Sequence, residues 1–144
     1  MRQTRGWIAI AGGALLALSL GTQTVSARPT PPILEFATMV GVPTALTGSS
    51  ASAAFRGVNA GGLPWTLSSA NGELSKTGHL EVTVTGLVFA AGPNVGKNTV
   101  PSFRAIVSCI DSSGSLHNVS TDPFPATVGL ASQGGGNATI EADL

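Results

Sequence analysis

Residues His79–Thr85 set the fold class of this chain. Leu80, Val82 and Val84 alternate with Glu81, Thr83 and Thr85, a period of two that puts one set of side chains on each face of an extended strand. One face is apolar and the other wet, so this segment covers a core with one side of a sheet. Gly86 interrupts before Leu87-Val88-Phe89, which predicts a bulge or bend that carries the chain from one sheet environment into another. In residues 103–110 the alternation is weaker. Phe103, Ala105, Val107 and Cys109 share a face, while Ile106 and Ile110 stand on the other beside Arg104 and Ser108. Apolar groups on both faces predict a central strand.

Turn chemistry divides the rest into short pieces. Asn71-Gly72 predicts a hairpin between residues 65–69 and 73–76, because Asn-Gly adopts positive φ at low cost. Asp111-Ser112-Ser113-Gly114 predicts a second hairpin between residues 103–110 and 115–120. Further strands are expected at 33–40, 53–58, 126–130 and 137–142. No segment after residue 27 carries a capped apolar period of 3.6. Seven or eight short strands separated by glycine and proline predict an all-β, antiparallel β-sandwich. Internal repeats are absent, and residues 48–52 and 134–136 are glycine- and serine-rich loops within one domain.

The N-terminus is an export signal. Arg2 and Arg5 precede an apolar stretch at residues 8–20, and a polar segment ends in Val25-Ser26-Ala27. Those 13 apolar residues fall short of the roughly 20 that a membrane-spanning helix needs, and small residues at 25 and 27 suit a signal peptidase that cuts after Ala27. The expected product is secreted and extracellular, with no membrane insertion after cleavage. Arg28-Pro29-Thr30-Pro31-Pro32 forms an extended tether, and residues 33–144 form a single β domain. Cleavage removes two of the seven basic residues and none of the seven acidic ones, leaving a charge near minus two. A chain without a basic stripe has no means of neutralising phosphates, so nucleic acid is not an expected partner. Charged residues make up only 10% of the sequence, so serine, threonine, glycine and asparagine supply the wet surface.

Several strings imitate chemical motifs and fail on context. Gly92-Pro-Asn-Val-Gly96-Lys97-Asn98-Thr99 is one residue short of a phosphate loop, has Asn98 at the hydroxyl position, and has no helix after it. Leu63-Pro-Trp-Thr66 lacks the glycine and apolar tail of a cell-wall sorting signal. Asp111-Ser-Ser-Gly114 carries an extra serine relative to an aspartic protease loop and has no second aspartate loop. Asn118-Val-Ser120 and Asn137-Ala-Thr139 are glycosylation acceptors only in a eukaryotic secretory route. The two histidines, one thiol and scattered carboxylates show no metal-ligand spacing, and no cofactor is implied. Nucleophilic catalysis needs a serine or Cys109, a histidine and an orienting carboxylate. His79 reads as a solvated surface residue, and His117, between Asp111 and Asp122, is the better candidate.

Residues 57–65 (Gly-Val-Asn-Ala-Gly-Gly-Leu-Pro-Trp), 78–88, 101–109 and 124–143 resemble a group of small secreted bacterial proteins of unassigned function. The resemblance spans about residues 55–144. It implies export, a β domain and a chain that continues past Leu144, and it carries over no catalytic residues. The leading expectation is a non-catalytic extracellular module that binds an unknown ligand or protein. Trp65, beside Gly61-Gly62, reads as a core tryptophan, with an exposed binding contact as the other option, and His117 is a second candidate contact. The alternative is a secreted hydrolase with a site around His117. Cys109 shares a face with Phe103, Ala105 and Val107 and reads as a small buried hydrophobe. Because an exported thiol tends to be paired, the strand-like ending at residues 140–144 also suggests a truncated chain whose missing strand carries a second cysteine to bridge Cys109.

Overall fold

A computed structural model describes residues 31–48 and 54–144. The expected leader, its cleavage point after Ala27, the start of the tether and most of the loop at 48–52 lie outside those residues. The described chain is all-β. Its strands are β1 Leu34–Phe36, β2 Ala54–Phe55, β3 Val58–Asn59, β4 Trp65–Thr66, β5 Ser69–Leu74, β6 His79–Thr85, β7 Val88–Phe89, β8 Lys97–Asn98, β9 Ser102–Phe103, β10 Ile106–Ile110, β11 Leu116–Ser120, β12 Phe124–Pro125, β13 Gly129–Leu130 and β14 Ala138–Asp143. Fourteen strands replace the expected seven or eight, because several apolar runs are cut in two. Within the expected strand at 53–58, residues 54–58 fold back at Arg56-Gly57, both at positive φ (48° and 75°), the geometry of a two-residue hairpin turn. Residues 103–110 are broken at Arg104-Ala105. There Thr121 Oγ1 accepts the Ala105 N–H at 3.1 Å while the Thr121 N–H donates to the Ala105 carbonyl at 3.0 Å.

One sheet has four strands, in the order β1-β5-β6-β14, all antiparallel. Its register follows the period of two read from β6. Leu74, Leu80 and Ala142 align in one row, and Gly72, Val82 and Ile140 in another. These inner-face residues form the core, where Leu74, Leu80, Val82 and Ile140 make one buried cluster and Ala70, Val84 and Ala138 a second. The same register aligns Glu35, Glu73, Glu81 and Glu141 across all four strands of the outer face. Like charges directly opposite each other destabilise a sheet, so this row works against the apolar rows behind it.

Asn71-Gly72 is not a turn. Both residues lie inside β5, and the hairpin closes at Ser75–Gly78 instead, where the Ser75 N–H donates to the His79 carbonyl at 2.8 Å and the Gly78 N–H to the Ser75 carbonyl at 3.2 Å. Gly78 takes φ 89° there. Packing explains the displacement. A Cβ on Gly72 would meet the Phe36 ring and the Glu81 carbonyl, so the glycine makes room for Phe36, its partner in β1. Asp111–Gly114 does close a hairpin, pairing Ile110 with Leu116. At Gly86 the chain leaves the four-stranded sheet, and β7 pairs with β4.

The remaining strands form two-stranded pairs, namely β2-β3, β4-β7, β8-β13, β9-β12 and β10-β11. Phe103, Ala105, Val107 and Phe124 pack against the first core cluster, and Leu67, Leu87 and Ala126 against the second. The expected central strand at 103–110 is corrected: among the described residues β10 pairs only with β11, and Ile106 and Ile110 are exposed. Asn98, placed in the imitation phosphate loop, is wholly buried. Its Nδ2 donates to the Val100 and Thr127 carbonyls and its Oδ1 accepts the Val100 N–H, all at 2.8–2.9 Å.

Candidate functional site

Trp65 stands opposite Phe89 in the β4-β7 pair, with ring centroids 4.1 Å apart, and meets Phe103 edge-on at 6.3 Å. Its ring is half-buried in an aromatic cluster, between the two options the sequence offers. A Cβ at Gly41 would strike the Trp65 carbonyl, so the 41–43 segment lies directly against the strand.

The β10-β11 ribbon carries His117 and Cys109, paired across the ladder and therefore on one face. His117 Nε2 lies 2.9 Å from Asp111 Oδ2, and its side chain is 61% exposed. Asp111 Oδ1 accepts the Ser113 hydroxyl at 2.6 Å and the Ser113 and Ser115 N–H groups at 2.8 and 2.9 Å. The Ser113 hydroxyl, the His117 ring and the Ser115 N–H hold the Asp111 carboxyl well below the ordinary carboxylate range. Here the Ser113 hydroxyl bonds the carboxylate and not the imidazole, so Ser113 and His117 do not form a nucleophile–base pair. The cluster pins the turn of the hairpin. Cys109 is exposed, which corrects its reading as a buried hydrophobe: β10 has left the core surface two residues beyond Val107. His79 Nδ1 lies 2.9 Å from Asp143 Oδ1 and its Nε2 is 3.8 Å from Glu141. The Asp143 contact comes first among the causes that raise the imidazole pKa above 6.5.

None of these residues lines an apolar concavity. One lies between the inner face of the four-stranded sheet and the β9-β10 segment, partly open to solvent, with a volume of about 290 Å³. Val82 and Ile140 form its floor, Phe36, Phe103 and Val107 its walls, and Met39, about half exposed, lies on its margin. Its lining is overwhelmingly apolar, with two exceptions. Arg104 is exposed on the border and makes no ion pair or side-chain hydrogen bond among the described residues. Ser108, also on the border, has a hydroxyl oxygen withdrawn from solvent that lacks a partner. Arg104 belongs to the segment where β9 gives way to β10, and Ser108 to β10 itself.

A second concavity, of about 320 Å³, lies on the outer face beside Glu35, Glu73 and Glu81. It is a polar trough in the glutamate row. Among the described residues no group of three or more histidine, cysteine or acidic side chains is placed to hold a metal ion. Comparison with protein-family models, curated proteins and solved structures finds no match to this chain. Sequence reasoning missed the apolar cavity. Its one legible trace is Arg104, a lone charge inside an otherwise uncharged stretch from 98 to 110.

Proposed function

We propose that the chain is an exported, non-catalytic β module of sandwich type, its second layer built from two-stranded pieces, that binds an apolar ligand between the four-stranded sheet and the β9-β10 segment. The observation that carries this reading is the apolar cavity itself. Its volume of about 290 Å³ sits at the lower end of the usual range for small-molecule sites, and such sites are apolar with a few placed polar groups. The N-terminal sequence and the resemblance of residues 55–144 to small exported proteins support secretion. Export also accounts for a surface made polar by serine and threonine in place of charge.

Trp65 supplies the readout. It is the one tryptophan left after the expected cleavage, since the other is Trp7, and it touches Phe103, a cavity wall. Titrating the secreted product with a neutral medium-chain alcohol is expected to change Trp65 emission saturably. Val107→Phe, which enlarges a wall residue into the cavity, is expected to abolish that change, with an unfolding transition retained as the check that the variant folds. A saturable response that survives Val107→Phe at unchanged affinity would place binding elsewhere and defeat the reading.

A further inference from the structure

Resting on that binding site, we infer that the ligand is an amphiphile with an anionic head group: a medium-chain alkyl carboxylate or an equivalent single acyl chain. The cavity takes the chain and Arg104 takes the head. Apolar walls alone distinguish poorly between ligands of similar size, because burial is non-directional and scales with area. Direction comes from the polar residues of the lining, and Arg104 is the sole charged residue among them.

Its surroundings leave that charge free to act. No carboxylate lies within ion-pair distance of Arg104 among the described residues, although the protein has seven acidic side chains; three of these, Asp111, Glu141 and Asp143, lie against histidines. Five of the seven, Glu35, Glu73, Glu81, Glu141 and Asp143, stand on the outer face of the four-stranded sheet, with the sheet between them and the cavity. The cavity side is therefore positive relative to the outer side. A guanidinium presents a planar fork of donors that matches a carboxylate.

Among the described residues the other cations stand apart from one another and from the cavity. Lys76 lies in the β5-β6 turn, Lys97 in β8 and Arg56 in the β2-β3 hairpin, where its Nη1 donates to the Ser108 carbonyl at 3.0 Å. Arg104 alone combines a free charge with an apolar cavity.

The experiment compares octanoate, octanol and octylammonium on the secreted full-length product, read by Trp65 emission and calorimetry, for the parent, Arg104→Gln and Arg104→Glu. Arg104 is exposed and outside the core, so both variants are expected to fold. Octanoate is expected to bind roughly three- to tenfold more tightly than octanol, the range of one charge-assisted contact at a partly solvated rim. Arg104→Gln is expected to erase that margin, and Arg104→Glu to transfer it to octylammonium. Equal binding of all three ligands to the parent would overturn the head-group assignment and leave the apolar site standing. A carboxylate preference unchanged in Arg104→Gln would also overturn it. Failure of all three ligands to bind would defeat the site itself.

Discussion

The β5-β6 hairpin and the β10-β11 ribbon are built from the same local pattern and have opposite fates. Each is an antiparallel pair closed by a four- or five-residue turn containing serine and glycine. In β6 every second residue is buried, whereas every residue of β11 is exposed. The difference lies in neighbours. β5-β6 gains β1 on one edge and β14 on the other, and its inner face is covered by Phe36, Phe103, Ala105 and Val107. Among the described residues the ribbon gains no further strand: it touches the core through Val107 and meets the β2-β3 turn, where Asn118 Nδ2 donates to the Arg56 carbonyl at 2.9 Å. Alternation specifies a strand; the pairing of its edges decides whether the strand is core.

The same deletion in both regions is the sharpest way to break this contrast. Leu80→Ala, at a residue 2% exposed, is expected to cost about 3 kcal/mol through lost burial and a cavity. Leu116→Ala, at 42% exposed in the ribbon, is expected to cost roughly 0.5 kcal/mol. Chemical denaturation measures both, and equal losses would show that the ribbon belongs to the same cooperative core. A smaller effect tests the displaced turn. Gly72→Ala is expected to cost about 2 kcal/mol by forcing a Cβ onto Phe36 and the Glu81 carbonyl, whereas a glycine in an Asn-Gly turn would give a loss confined to its positive φ and insensitive to Phe36→Ala. Still smaller, Glu81→Thr is expected to stabilise the sheet by about 0.5 kcal/mol by relieving like charges across the row, a gain that should shrink as salt is added.

Acidity distinguishes the two regions by sign. Asp111 in the ribbon has a lowered pKa, so its contribution is complete above the unfolded value near 3.8 and is lost as pH falls through the folded value. His79, at the end of β6, has a raised pKa, so its contribution is complete below 6.5 and is lost as pH rises through the folded value. Histidine chemical shifts followed against pH are expected to show the His79 midpoint above 6.5, falling back in Asp143→Asn. A midpoint indifferent to Asp143→Asn would remove the contact from the account of the sheet edge.

What the sequence made legible was local. The β6 alternation, the bend at Gly86, the Asp111 hairpin and the strand through 137–142 each depend on residues within one or two turns of themselves. The misread features depend on residues far away. Gly72 is a strand glycine because Phe36 lies over it, and no window around Asn71-Gly72 contains that information. Arg56-Gly57 turns in spite of an arginine at positive φ, a conformation held by contacts with Ser108 and Asn118. Cys109 continues an apolar face past the point where the sheet beneath it ends. The cavity is a property of two elements, β6 and β9-β10, and of the space between them, so composition and spacing could show only Arg104.

The proposed binding site between those elements is tested most directly by a crystal structure of the protein with an ω-bromo medium-chain carboxylate, using the anomalous signal of bromine to locate the chain end. A site in the cavity requires the bromine peak between Val82 and Val107, with the carboxylate beside Arg104. A peak at the exposed ribbon or in the glutamate trough, with the cavity unchanged, would contradict it.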